Sequence, residues 1–538
     1  MKQLQQLGIV LFLLGIFTFS SAIFMGTFSP TKAQLTALMT EKGISSKVFE
    51  SNAVAALTNS SFNNIHSLKN ALSAVVLKTN DDHRAAAKKK GISKEARKEA
   101  YGNIIYSAPK DLAFILGKAS AKGLVAENSL LFFWLSFGLG IFGALLFIVP
   151  QVITEGPKGI KNKGIYKQNS TNRGFIAWGV FAYLIGFYLV LYFAPQYTIH
   201  WTLMLDPLSY ALNGGPASQW FVYGFMYCII MVVMAIRMYI KYRHVNYQIL
   251  RTTSVLFFQI VFAFLIPEIM TRLQLPATDF KNAFPLDYDF FFSWNLNKLI
   301  DSGGLGLFIL VWGILLTLVV VPVMVYFFGK RWYCSWVCGC GGLAETLGDP
   351  YRQHSSKSLF SWKVERWLVH GVLVFAVLMT AATLYSFFTG NTSLVGIKTQ
   401  SIQNTYSFLI GAIFAGVIGT GFYPIFGNRV WCRFGCPLAA YLGFVQRFKS
   451  RFRITTNGGQ CISCGNCSTY CEMGIDVRAY AQKGENIVRS SCVGCGVCSA
   501  VCPRGVLKLE QGPESGRINP TEILLGNDVS LIDLLNKK

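Results

Sequence analysis

Eight of the fourteen cysteines fall in two runs near the C-terminus, and their spacing specifies a chemistry. The first run is Cys461-Ile-Ser-Cys464-Gly-Asn-Cys467-Ser-Thr-Tyr-Cys471, and the second is Cys492-Val-Gly-Cys495-Gly-Val-Cys498-Ser-Ala-Val-Cys502-Pro503. Both read C-x2-C-x2-C-x3-C. In such a run three thiolates wrap one face of an iron–sulfur cube, while the fourth, on the short helix that follows, points to the neighbouring cluster. The spacing therefore predicts one 4Fe–4S cluster on Cys461, Cys464, Cys467 and Cys502. A second falls to Cys492, Cys495, Cys498 and Cys471. Zinc also accepts C-x2-C pairs. It needs only four ligands, however, and gives no reason for two triplets each trailed by a further cysteine.

A second constellation lies further upstream. Phe328-Gly329-Lys330-Arg331-Trp332-Tyr333-Cys334-Ser335-Trp336-Val337-Cys338-Gly339-Cys340 and Phe426-Gly427-Asn428-Arg429-Val430-Trp431-Cys432-Arg433-Phe434-Gly435-Cys436-Pro437 share the pattern F-G-x-R-x-[YW]-C-x3-C. Each copy closes an apolar run, which indicates a duplicated unit. C-x3-C continued into a helix puts two sulfurs on one helical face. If the copies pack as a pseudo-symmetric pair, Cys334, Cys338, Cys432 and Cys436 converge as four soft ligands, suited to iron–sulfur, copper(I) or zinc. Arg331 and Arg429 are then expected beside them, favouring thiolates. Small buried residues at helix ends, or redox disulfides, are the alternative. Cys340 has no counterpart in the second copy and is either a further ligand or a neighbour.

These cysteines must be positioned by a membrane protein. The chain has 538 residues, of which 52% are hydrophobic and only 14% charged; its mean hydropathy is +0.41. A soluble protein carries about a quarter charged residues. Apolar runs long enough to cross a bilayer occur near 8–26, 129–152, 174–195, 219–239, 253–271, 305–329, 367–388 and 405–427. The first reads as a retained anchor rather than a cleaved signal, because it stays apolar past Ser20-Ser21-Ala22.

The net charge of +23 does not indicate nucleic acid, because of where it sits. Lys158, Lys161, Lys163, Lys167 and Arg173, then Lys241, Arg243 and Arg251, then Lys330, Arg331, Arg352, Lys357, Lys363 and Arg366 mark alternate connections. Between them, 196–218 has no cation and 389–404 has only Lys398. This asymmetry predicts that both termini, and the cysteine runs, are cytoplasmic, with the basic excess lying at the membrane surface. Reducing conditions there suit thiol ligands. Cys228, inside the fourth run, reads as a packing residue.

The chain thus divides into a first span (1–26), an extracytoplasmic and mostly helical segment (27–128), a seven-span membrane domain (129–427), a cytoplasmic α+β two-cluster domain (428–510) and a tail (511–538). The Lys-rich stretch around Ala85–Lys90 reads as a solvated helical face. Segments 196–218 and 272–304 read as loops, with Asp289-Phe290-Phe291-Phe292-Ser293-Trp294 as an interfacial aromatic belt. The tail Leu531–Lys538 suggests a short docking helix.

Over roughly 305–510 the chain resembles the membrane-bound polyferredoxins. That group includes the ferredoxin-type quinol dehydrogenase subunit of nitrate respiration, the membrane regulator of nitrous-oxide respiration and the cytochrome oxidase accessory protein. The resemblance rests on the paired C-x3-C motifs after membrane spans, followed by the double cysteine run. It implies a multi-pass protein of the bacterial inner membrane. Three departures stand out. Cys338 is followed by Gly339-Cys340 where the family has proline, and Cys471 by Glu472, where proline shapes a turn but is no ligand. The nitrous-oxide regulators carry flavin on a D-[ST]-G-A-T-type threonine; residues 27–128 contain no such sequence, and Thr389-Gly390-Asn391-Thr392 is only a loose echo.

The expected function is electron transfer between a quinone, or a membrane or periplasmic redox partner protein, and the two cytoplasmic clusters, with the upstream cysteines as an intermediate relay. Such a chain is a subunit of an oxidoreductase of the quinol-dehydrogenase kind. It has no phosphate-binding glycine loop and no nucleophile–base pair. Gln259 and Glu268 offer a quinone or proton path within the fifth span. Two rivals are a copper-reducing assembly factor and a non-turnover redox-sensing scaffold; the chain stops soon after the second run, without the C-terminal extension of the oxidase accessory proteins. His200, His244 and His370 share no helix at ligand spacing and read as surface histidines rather than haem ligands.

Overall fold

The computed structural model describes residues 2–58, 60–88, 93–154, 173–394, 396–518, 524–525 and 529–530. Lys158, Lys161, Lys163 and Lys167, and the tail Leu531–Lys538, lie outside the described residues. Among the described residues, eight helices are long and apolar enough to cross a membrane: Lys2–Phe24, Ser129–Thr154, Phe175–Phe193, Gln219–Lys241, Asn246–Arg272, Gly303–Phe328, Leu359–Thr389 and Thr399–Gly421. They match the eight apolar runs of the sequence. The seventh starts earlier than its apolar part, because the Ser358 side chain accepts from the Ser361 amide (3.2 Å) and caps a more polar first stretch.

The chain folds as two compact units, Met1–Phe147 with Leu189–Phe225, and Ile148–Tyr188 with Met226–Lys538. In the first, helices Lys32–Lys42, Lys47–Leu57, Ile65–Lys88 and Pro109–Ser120 bury Leu35, Phe49, Leu57, Leu68, Leu72, Leu112 and Leu116 in one core. A Thr31–Gln34 capping box starts this bundle. Strands Thr27–Phe28 and Ala121–Lys122 pair antiparallel and close it. Two sequence expectations need correction here. Segment 196–218 is not a loop: Ile199–Asn213 is a helix burying Ile199, Trp201, Met204 and Leu205, with the Trp201 indole donating to the Phe19 carbonyl (2.7 Å). Consecutive residues Ile199 to Thr202 are all buried, so the helix is enclosed on several sides and shows no one-faced pattern that the sequence could reveal. His200 is likewise not a surface residue, being only 3% exposed.

In the second unit the aromatic patch also turns inward. Phe290 and Phe292 are buried, and the Phe290 ring occupies the space left beside Gly313; only Trp294 is exposed, as a belt residue is. After the last span, strands Phe452–Thr456 and Leu507–Gln511 pair antiparallel in full register, from Phe452 opposite Gln511 to Thr456 opposite Leu507. This ribbon brackets the double cysteine run. Short helices Asn466–Thr469 and Val497–Ala500 carry Cys467 and Cys498. Cys471 and Cys502 follow those helices rather than lying on them.

The basic residues of this unit are not all membrane-surface charge, as the sequence suggested. Lys241, Arg251, Arg352, Arg429 and Arg433 are each 5% exposed or less. Asp349 accepts from Arg237 (2.5 Å), Lys241 (2.6 Å) and Arg352 (2.9 Å), while Glu345 pairs with Arg251, Arg352 and Arg429. Burial alone pushes the Glu345 and Asp349 carboxyls up. The surrounding cations outweigh it and hold both well below the usual carboxylate range.

Candidate iron–sulfur sites

The two copies of the upstream motif follow one backbone path. Gly329 and Gly427 end the preceding helices with φ of 67° and 94° and ψ of −179° and 170°. Glycine alone adopts such angles readily. A Cβ would in addition strike Phe452 and Gln446 in the first copy and Ser355 in the second. The Cys338 amide then donates to the Tyr333 carbonyl (2.7 Å), and the Cys436 amide to that of Trp431 (2.9 Å). Each second cysteine is extended and stands at the N-cap of the next helix, Gly339–Glu345 or Pro437–Phe448. The cysteines of a copy therefore do not share one helical face. The chain breaks between them, and the break folds the second sulfur back towards the first.

Cys334, Cys338, Cys340, Cys432 and Cys436 line a single cavity, walled by Leu286, Tyr333, Trp431 and Leu438. Gly339, in the place of the family's proline, leaves Cys338 in the position matching Cys436. The substitution has a local reason: a Cβ at Gly339 would lie 2.8 Å from Oε1 of Gln259. Gln259 donates to the Val337 carbonyl (2.5 Å), and the Tyr227 hydroxyl reaches the Gly339 carbonyl (2.8 Å). Gln259 thus braces the cysteine loop.

Of the two motif arginines, only Arg429 stands beside the cysteines, with Nη1 3.7 Å from Cys432 Sγ and 3.3 Å from the Cys334 carbonyl. Arg331 instead lies over the rings of Phe452 (5.1 Å) and Tyr247 (5.8 Å). Burial pushes the Cys334 thiol up to about 12 and raises Cys432 and Cys436; the Cys340 thiol, donating to Cys338, lowers Cys338 to about 6. Buried thiols that resist ionisation alone suit a metal centre, which supplies the compensating positive charge.

The two downstream sets each line a cavity of their own. Cys461, Cys464, Cys467 and Cys502 surround one, and Cys471, Cys492, Cys495 and Cys498 the other. In each case the fourth cysteine comes from the opposite run. Cys464 is exposed, whereas Cys492 and Cys498 are buried. Arg352 Nη1 lies 4.0 Å from Cys495 Sγ. Four soft donors about each cavity fit a 4Fe–4S cube.

Residues 453–503 match the 4Fe-4S dicluster domain, and residues 310–363 and 407–455 each match the 4Fe-4S binding domain. Three stretches of the chain are thus similar to iron–sulfur domains. The second domain matches twice, once over each copy of the upstream motif. The chain is also 29% identical over 171 residues to YccM of Escherichia coli strain K12, a protein provisionally named for electron transport. That match covers 30% of this chain and 46% of YccM, so the chain spans about half the length of this relative. No solved structure matches the chain. Binding of 4Fe–4S clusters is what these domains share, and here they belong to a chain with eight candidate membrane helices among its described residues.

Glu472, noted in the sequence only as a departure from the family's proline, has a role that the sequence did not reveal. It follows Cys471 in the slot where the family has proline, and it is fully buried. It accepts from Arg352 (2.7 Å) and Asn428 (3.0 Å) and forms an ion pair with Arg429 (2.9 Å), tying the second upstream motif to the dicluster domain. An acid in a proline slot, with two arginines to spare upstream, was the signal available.

Proposed function

We propose that this chain relays electrons through three iron–sulfur centres, the first on Cys334, Cys338, Cys432 and Cys436. The second is on Cys471, Cys492, Cys495 and Cys498, and the third on Cys461, Cys464, Cys467 and Cys502. Clusters bound there supply one-electron chemistry. The protein's part is to hold, space and insulate them. The observation that carries this reading is the hydrogen bond from Ser335 Oγ to the Val493 carbonyl (2.7 Å), which joins the residue after Cys334 to the residue after Cys492. The upstream cavity thus abuts the nearer dicluster cavity. Exposure then rises outward: the upstream four are buried, and Cys464 of the last set reaches solvent.

Arg429 and Arg352 place positive charge and N–H donors against Cys432 and Cys495, which favours the reduced state of a bound cluster. In this reading the outer site faces the cytoplasm of a bacterial cell and exchanges electrons with a soluble partner near Cys464. A quinone or a periplasmic redox protein meets the membrane end. Anaerobic preparations are expected to hold about twelve iron per chain. About eight iron, with no third signal in a redox-titrated EPR spectrum, would refute the upstream centre.

A second reading rests on the fifth thiol. Cys340 lines the same cavity as Cys338, a cysteine excess that also suits copper(I) in an assembly factor. Stoichiometric copper in place of the last four iron would select it.

A further inference from the structure

We infer that the second unit carries a binding site for the phosphate headgroup of an acidic phospholipid, beside the upstream cysteine cavity and sharing Cys432 with its wall. A cavity of about 630 Å³ opens between the seventh span, helix Pro437–Phe448 and the dicluster domain. This is the size of a small-molecule site. Its lining is strongly cationic, with Lys330, Arg366, Arg433, Arg447 and Arg489 against the lone carboxylate of Glu365. That carboxylate is already taken by Arg433 (2.9 Å).

Lys330 decides the chemistry of the ligand. The residue is 2% exposed and lines this cavity, yet its ammonium has no hydrogen bond or ion pair among the described residues. Glu365 is the one carboxylate of the cavity near enough to feel its charge, and Arg433 already holds that carboxylate; the excess of buried cations is costly, and a bound anion relieves it. Arg447 donates to the Val488 carbonyl (2.8 Å) and Arg489 to the Tyr480 hydroxyl (3.1 Å), so neither spends its charge on an acid. Arg366 and Arg489 lie over the Trp362 ring at 5.4 and 4.9 Å, which fixes two guanidiniums at the wall. The anion must also have an apolar part. Phe444 and Phe448 in the lining are 57% and 63% exposed, and the site lies at the first turns of a membrane span. Acyl chains cover such a rim; a free anion leaves it in water.

The test uses the full chain, purified in neutral detergent and titrated with phosphatidylglycerol, phosphatidylcholine or inorganic phosphate under native mass spectrometry. One phosphatidylglycerol per chain is expected, bound at least about tenfold more tightly than phosphatidylcholine and not displaced by millimolar inorganic phosphate. Lys330→Gln and, on the exposed side, Arg366→Gln are each expected to weaken it about fivefold, with iron content as the check on folding. Equal affinity for the two lipids overturns the proposal. So does phosphate that binds as tightly as the lipid, or undiminished phosphatidylglycerol binding by iron-replete Arg366→Gln and Lys330→Gln.

Discussion

Ser335 Oγ donates to the Val493 carbonyl at 2.7 Å, and both residues are fully buried. Each directly follows a cysteine of a different cavity. Around this bond the Gln446 amide donates to the Cys492 carbonyl (3.0 Å), Gln248 to that of Cys495 (2.8 Å) and the Tyr247 hydroxyl to that of Gly494 (2.8 Å). The dicluster loop is therefore held to the upstream motif by side chains that reach its backbone. Such bonds to the backbone fix the spacing of the two cysteine sets without engaging a ligand sulfur.

Ser335→Ala leaves the buried Val493 carbonyl without its donor, at a cost of about 1–3 kcal/mol. Iron content is expected to match the parent, with a fall in thermal midpoint of a few degrees. Loss of iron from this variant would show that the bond shapes a ligand set rather than the spacing between sets.

Glu472 is the acid that Arg429 and Arg352 share with Glu345. Glu472→Gln strands part of a buried positive pair, and losses of this kind run to about 3–5 kcal/mol. Glu472→Pro, which restores the family's residue at that position, is expected to destabilise the protein further, because it also removes the side chain that Asn428 meets. Urea or thermal unfolding followed at the cluster absorbance measures both. A Glu472→Pro protein as stable as the parent would refute the keystone role.

Cys432→Ser and Cys436→Ser are each expected to lower iron by about four per chain while leaving the dicluster signals intact. Cys340→Ser is expected to keep the full complement, since its counterpart position in the second copy holds Leu438, not cysteine. Iron and sulfide assays with EPR distinguish these outcomes.

His200 gives the first unit a defined acid sensitivity. Burial lowers its pKa to about 4, and its Nε2 has no hydrogen-bond partner. The unfolded chain titrates near 6.5. Its folded value is depressed, so the unfolded state takes up the proton first and stability falls as pH drops from about 6.5 to about 4. The shift corresponds to roughly 3 kcal/mol at most, of the order of magnitude given by linkage. In His200→Gln that slope is expected to flatten, as read from thermal midpoints between pH 7 and pH 4.5. An unchanged slope would move the acid sensitivity to other groups.

Cysteine spacing and apolar length were legible in the chain because both are local: eight spans, two cysteine runs and a duplicated motif need no tertiary information. Even the exchange of the fourth cysteine between runs follows from spacing, and the cavities gather those same residues. What misled was local reading of residues whose partners are distant. Phe290, Phe292 and His200 looked superficial, yet packing against other elements buries all three. Lys241 and Arg251 looked like surface charge, but Asp349 and Glu345, about a hundred residues away, neutralise them. Tertiary structure alone decided that Cys340 joins the upstream four, that Arg429 and not Arg331 attends them, and that Glu472 locks the two modules together. Those outcomes depend on which side chains share a desolvated space, where an unpaired charge is costly. Sequence order does not encode that proximity in any local pattern.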